Sequence, residues 1–188
     1  ELLEAQRKSA DFLANAGARV REVKFDKLRY SLDIWSSMLG SAQKGLSFRS
    51  MMERPKMTQL LWQCVLWCFR ASPHTLPALL LGVLEELEKL LPGRMEKMCR
   101  LGNELRQELH EEMGENGVLL YPPYVSVAPK HYKPLLPPFN WVYTAILNVM
   151  QLPVTQVPLG LNAKGLPLGV QVAGLDGMDH KTIAVALA

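Results

Sequence analysis

Residues 152–174, LPVTQVPLGLNAKGLPLGVQVAG, set two short apolar runs on either side of Asn162, Ala163, Lys164 and Gly165. Asn and Gly tolerate positive φ, so these four residues predict a tight reversal of the chain. Pro153 heads the first run, where a missing N–H does least damage to a ladder. The pattern predicts a strand over VTQVP, a turn over residues 162–165, and a returning or neighbouring strand over residues 168–172.

The glycines of this stretch also invite a nucleotide-binding reading, which fails on detail. Gly160 and Gly165 have the first spacing of a phosphate-binding loop, but Leu166 and Pro167 stand where Lys and Ser or Thr are required. The dinucleotide fingerprint is absent as well. A strand–turn–strand that needs a permissive backbone accounts for the glycines.

The 188 residues are about the size of one domain, and 48% hydrophobic with 21% charged content predicts a globular core. The net charge of +3 is small and both signs are mixed along the chain, without the basic stripe of a nucleic-acid binder. Cys64, Cys68 and Cys99 are an odd number without a dense framework, which predicts a reducing compartment. The chain opens ELLEAQRKSADFL, without an initiator Met or an apolar signal region, and ends KTIAVALA. Both ends read as cut, so the expectation is a fragment of a longer protein.

Residues 2–16 predict an amphipathic helix with Leu2, Ala5, Phe12 and Ala16 near one stripe, stopped by Gly17. Val20, Glu22, Val23, Lys24 and Phe25 predict a short strand. Residues 26–39 predict a helix carrying Leu28, Leu32, Trp35 and Leu39 on one side. This helix–strand–helix order favours an α/β class over a bundle. Residues 40–56 read as a loop or short helix. Residues 57–69 and 76–84 are apolar but broken by Gln63, Arg70, Pro73 and His74, and a membrane span needs about 20 unbroken residues. Two short apolar helices joined at Ser72-Pro73-His74 are expected. A further helix over residues 94–113 carries Met98, Leu101, Leu105 and Leu109, closed by Gly114 and Gly117. Residues 118–121 read as a buried-type strand running into Pro122 and Pro123. Most of the 13 prolines follow Met113. Asn140 is the expected N-cap of a helix over residues 141–150, and Asp179 of a last helix from about Lys181.

No constellation of catalytic or metal-binding type emerges. Cys64 and Cys68 are four apart on one helix but lack a matching pair, so they read as buried, helix-packing cysteines. His110-Glu111-Glu112 begins like a zinc-protease helix, but residue 114 is Gly where the second His belongs. Ser36 and Ser37 have no glycine turn to hold a strained nucleophile and read as a helix-surface pair. No metal or cofactor is predicted. Trp62 and Trp67 on short apolar helices, with Leu66 between them and Arg70 and His74 at the junction, fit a hairpin dipping into a membrane interface. An ordinary pair of core helices fits the same residues.

PVTQVPLGLNAKGLPLGVQVAG followed by Asp179 resembles the C-terminal end of the amidase-signature family. The carriers are Pro153, Pro158-Leu159-Gly160, the run from Gly165 to Gln171 (GLPLGVQ), and Asp179 before a closing apolar helix. ENGVLLYPPYVSVAPKH and PFNWVYTAILNVMQLP fit the same order of strand, proline and Asn-led helix. The chain departs at AGLDGM, residues 173–178, where a proline is expected after the glycine. Within the family, PVTQVPLGLNAKGLPLGVQV and VSVAPKHYKPLLPPFNWVYT are similar to the fatty-acid amide hydrolase branch in its second vertebrate form. Looser similarity runs back through CVLWCF and KFDKLRYSLDIW.

The resemblance implies the C-terminal part of an α/β/α sandwich with a mixed central sheet, incomplete in this chain. All 188 residues would belong to one amidase domain, with residues 57–90 as a cap-like apolar region and residues 115–188 as a Pro/Gly-rich sheet with a closing helix. It further implies hydrolysis of fatty-acid primary amides or N-acyl ethanolamines by a Ser–Ser–Lys triad. The Gly-Ser-Ser motif of that triad occurs nowhere in these residues, so no position inherits a catalytic role and the isolated chain is expected to be inactive. Phe139, Thr144, Leu147 and Met150 are the substrate-channel candidates; Trp62, Leu66 and Trp67 are the membrane-cap candidates. Plain core packing fits each channel candidate as well. The implied partners are a fatty-acid amide, a membrane surface on the reducing, cytosol-facing side, and a further copy in a homo-oligomer. The reading from a different class is a non-catalytic truncated product or pseudoenzyme that binds lipid, membrane or a partner subunit. Loss of strands from the central sheet would expose open edges, so poor solubility is expected when the chain is expressed alone.

Overall fold

The computed structural model describes residues 1–42, 52, 57–89, 93–135 and 139–188, so most of the expected loop over residues 40–56 lies outside the described residues. The chain divides into two compact units, Glu1–Trp35 with Leu101–Ala188, and Ser36–Arg100.

In the first unit α1, Leu2–Asn15, ends before Gly17 at φ +96°. It buries Leu2 and Ala5, whereas Phe12 and Ala16 stay exposed. The expected strand over residues 20–25 does not form. Charged side chains alternate there with Val20, Val23 and Phe25, and the segment is tethered by ions, not by a ladder. Arg21 pairs with Glu112 at 2.5 Å, and Lys27 donates to the Glu108 carboxylate. That hydrogen bond, more than the nearby charge, raises the Lys27 pKa.

Asp26–Tyr30 is a 3₁₀ turn and α2, Ser31–Ala42, follows it. The inward face carries Ser31, Ile34 and Ser37, not the expected Leu28, Leu32, Trp35 and Leu39 stripe. A 3₁₀ turn winds by about 120° per residue against about 100° for an α-helix, which takes Leu28 out of phase with α2, and packing sets which side of α2 itself turns inward. Ser37 is consequently buried and the surface-pair reading of Ser36 and Ser37 is corrected. A long helix, Arg94–Met113, forms as expected, with Met98, Leu105, Leu109 and Met113 buried.

Three strands form one sheet in the order β1-β3-β2, both pairings antiparallel: β1 is Leu119–Tyr121, β2 is Val154–Leu161 and β3 is Pro167–Ala173. No parallel pairing of the expected mixed sheet occurs among the described strands. β2 continues past the predicted VTQVP to Leu161 through a register shift between Pro158 and Leu161, where Gly160 takes φ +85°. Pro158 is accommodated because β2 is an edge strand. The reversal is built by Asn162, whose Oδ1 accepts from the Lys164 and Leu166 N–H groups, both at 2.9 Å.

Alternation sorts the sheet into two faces. Thr155 and Val157 stand opposite Val172 and Val170, toward α1 and a closing helix, Asp179–Ala186. The hydroxyls of Thr155 and Thr182 meet at 2.8 Å, tying that helix down. Gln156 and Gln171 stand opposite each other on the other face, as do Tyr121 and Gln171. There the Tyr121 ring lies 5.9 Å from Tyr143 on the helix Val142–Val149. Helices on both faces of a sheet make the expected α/β layering.

Two predicted caps are corrected. Asn140 lies one residue before the N-cap, Trp141, and offers only its carbonyl, at 3.4 Å from the Tyr143 nitrogen. Asp179 is already inside the first turn of its helix, where its charge still suits the positive end of the helix dipole.

In the second unit, helices Met57–Cys68 and Leu76–Lys89 form the expected hairpin. Leu60 and Leu79 are buried, and a Cβ on Gly82 would stand 3.1 Å from Leu60 Cδ2, so the helices approach closely. At the elbow Ser72 donates to Gln63 Oε1 at 2.9 Å and accepts from the His74 N–H at 3.1 Å. Cys64 is half-buried and Cys68 exposed, which corrects the buried reading of that pair: Leu60 and Gln63 occupy the inward side instead.

Candidate functional site

Each face of the sheet carries a groove. On the α1 side about 600 Å³ is bounded by Phe12, Leu13, Val157, Leu159, Val170 and Val185, among others, with Glu4 and Lys8 at the rim. On the opposite side about 520 Å³ is bounded by Pro123, Tyr124, Pro129, Trp141, Gln156 and Gly169, among others. Both volumes fall in the range of small-molecule sites.

The second groove is the better candidate despite its smaller volume. It draws together the Pro-rich run after β1, the start of the helix before Pro153, and the GLPLG turn into β3. Those are the segments that carry the sequence resemblance. An apolar trough lined by a few polar residues has the make-up of a small-molecule site. The polar residues among its lining are Gln156, Tyr124 and Ser126, the last of which donates its hydroxyl to the Val127 carbonyl at 3.1 Å.

The sheet floor beside the groove is held firmly. Gln171 is 5% exposed and its Nε2 donates to the Pro122 carbonyl at 3.1 Å. A Cβ on Gly169 would fall 2.8 Å from the Val157 carbonyl oxygen, so the ladder requires glycine there. Burial, helped by Tyr143, pushes the Tyr121 phenol up to about 12, so it stays protonated and neutral. Trp141, which lines the groove, meets Trp35 edge-on at 4.6 Å between ring centroids.

The four channel candidates are not brought together. Leu147 and Met150 point into the core at 2% and 0% exposure, because the helix Val142–Val149 turns that side toward its neighbours. Thr144 is exposed and spends its hydroxyl on the Trp141 carbonyl at 2.9 Å; Phe139 is exposed at 40%. Neither groove counts any of the four among its described lining residues. The lining residues Trp141, Tyr124 and Gln156 were missed by sequence reasoning, although the period of two in β2 already placed Gln156 on the face opposite Val157.

Of the cap candidates, Trp62 is 59% exposed, Trp67 exposed and Leu66 half-buried. Leu61, Val65 and Phe69 are exposed alongside them. No described helix is long and apolar enough to cross a membrane. Among the described residues no group of three or more His, Cys, Asp or Glu comes together as a metal site.

The sheet flanked by helices, with an apolar groove on each face, is an α/β scaffold, and this chain belongs to the amidase family, whose model matches residues 1–183. It is 41% identical over 175 residues to fatty-acid amide hydrolase 2 of Homo sapiens, covering 90% of this chain and 33% of that protein. It is 39% identical over 193 residues to fatty-acid amide hydrolase 2-A of Danio rerio, covering 100% of this chain and 36% of that protein. The chain thus spans about a third of the length of these curated relatives. The fold is similar to a crystal structure of a glutamyl-tRNA(Gln) amidotransferase component from Thermotoga maritima, with a TM-score of 0.62 and 21% identity. That likeness covers 98% of this chain and 37% of the other.

Proposed function

We propose that this chain is the C-terminal part of a hydrolase that cleaves fatty-acid amides, primary amides or N-acyl ethanolamines, to fatty acid and amine. Its share of the work is to seat the acyl chain. The observation that carries the reading is the trough between the Pro-rich wall, Trp141 and the sheet floor at Gln156 and Gly169. The Ser–Ser–Lys machinery belongs to sequence outside these 188 residues. The isolated chain should therefore show no turnover of a fluorogenic long-chain amide. Turnover abolished by a serine-directed covalent probe would sink that placement of the chemistry.

The same reading takes the hairpin of Met57–Cys68 and Leu76–Lys89 as a membrane-facing cap on the cytosol-facing side. Support comes from the exposed Trp62, Trp67, Leu61, Val65 and Phe69, aromatic and aliphatic groups of the kind that rest at a lipid–water boundary. The intact chain should sediment with phosphatidylcholine vesicles, and the Trp62→Glu, Leu66→Lys, Trp67→Glu triple variant should stay in the supernatant. Equal sedimentation of the two would remove the cap.

A further inference from the structure

We infer that Gln171 is a positioning residue for the acyl groove: it fixes the Pro-rich wall by holding Pro122, and so sets how tightly the groove closes on a ligand. The inference rests on the reading of the groove as an acyl seat and adds a residue that does not itself line it.

Three observations place Gln171 in that role. Its position in the ladder, opposite Gln156 on β2 and Tyr121 on β1, puts its side chain on the face that carries the groove. The side chain is almost wholly buried, yet its amide nitrogen reaches back to the Pro122 carbonyl at 3.1 Å. Pro122 is where the chain leaves β1, and the next residues, Pro123 and Tyr124, are wall. A proline peptide has no N–H with which to continue a ladder. Beyond Tyr121 the wall therefore loses part of its backbone pairing, and the Gln171 amide holds it by the one backbone polar group Pro122 retains, its carbonyl. Residues on a fixed wall bind with less ordering cost than residues on a loose one.

The test uses the whole chain and two readouts. Hydrogen exchange reports the wall directly. Gln171→Met keeps the volume and removes the donor; it should speed exchange at residues 124–133 about tenfold, a little over 1 kcal/mol of lost tethering, while β2 and β3 amides stay protected. Fluorescence reports the groove: a long-chain primary amide with a terminal dansyl group, excited by transfer from tryptophan, should bind the wild type and bind Gln171→Met about tenfold more weakly.

Gln171→Glu supplies the rescue. A carboxylate cannot donate to the Pro122 carbonyl, but a protonated carboxyl can. Binding of the uncharged probe to this variant should therefore recover as the pH falls from about 8 to about 5, with the wild type flat across that range. Tyr121, directly across the ladder, is protonated throughout. Unchanged exchange at residues 124–133 in Gln171→Met overturns the role of Gln171, as does a Gln171→Glu variant whose wall protection, taken relative to the intrinsic exchange rate at each pH, does not rise as the pH falls. Loss of β3 protection together with the wall would show a general fold requirement and overturn it equally. A wild type that ignores the probe, while Gln171→Met still loosens the wall, overturns the acyl seat and leaves the tether standing.

Discussion

Alanine at Gly117 should destabilise the chain by about 3 kcal/mol, the upper end of what forcing an extra methyl into filled space costs. The chain doubles back after the helix Arg94–Met113, and a Cβ at Gly117 would lie 2.1 Å from the Met113 carbonyl oxygen and 2.9 Å from its carbon. Both are backbone atoms, so no side-chain rotation relieves the clash. Met113 is buried, and displacing it would drag the end of the helix from the core. Gly114 is the internal comparison. It sits at φ +56° with nothing within 4 Å, so alanine there meets only the left-handed backbone penalty, about 1–2 kcal/mol. Urea unfolding of both variants separates the two causes. A Gly117→Ala variant as stable as Gly114→Ala would mean that the helix exit bends differently.

Met150→Ala should cost about 2–5 kcal/mol, the range for emptying a fully buried methionine site. Met150 has no exposed surface, and its neighbours Ile146 and Leu147 are equally enclosed. Thr144→Val, on the exposed side of the same helix, should stay within about 0.5 kcal/mol. Thermal melts report the difference, since about 3 kcal/mol corresponds to a Tm drop of roughly 6–12 °C for a chain of this size. Equal Tm values for Met150→Ala and wild type would show that Met150 faces open space. In that case it could line a channel directly, in place of supporting one from behind.

Those two residues show where reading the sequence stops. The sequence located the helix before Pro153 from Asn140 and the Asn-led segment that follows it. Which side meets the core and which meets a ligand depends on what packs against it, and the channel candidates divided accordingly. The stripe on α2 failed for a related reason. A 3₁₀ turn at Asp26–Tyr30 takes Leu28 out of the α-helical period, and nothing in the hydrophobic spacing announces a change from 3.6 to 3.0 residues per turn. Val20, Val23 and Phe25 alternate like a strand, but a strand needs a neighbour, and the segment is held instead by Arg21 on the Glu112 carboxylate of the long helix.

The reversal at residues 162–165, the strands on either side, the apolar hairpin and the long helix were all legible in the sequence. So was the family, through Pro153, Gly160, Gly165, Gly169 and Gln171. These features are local: positive φ at Gly160 and Gly165, the side-chain acceptor of Asn162 and the period of each apolar run are properties of neighbours in the chain. Tertiary structure alone decided that Gln156 and Gln171 share a face, that Gln171 reaches Pro122, and that Trp141 closes a groove begun by Pro123 and Tyr124. Those contacts join residues 15 to 49 positions apart, and only burial of one sheet face against its helices fixes which side chains meet there.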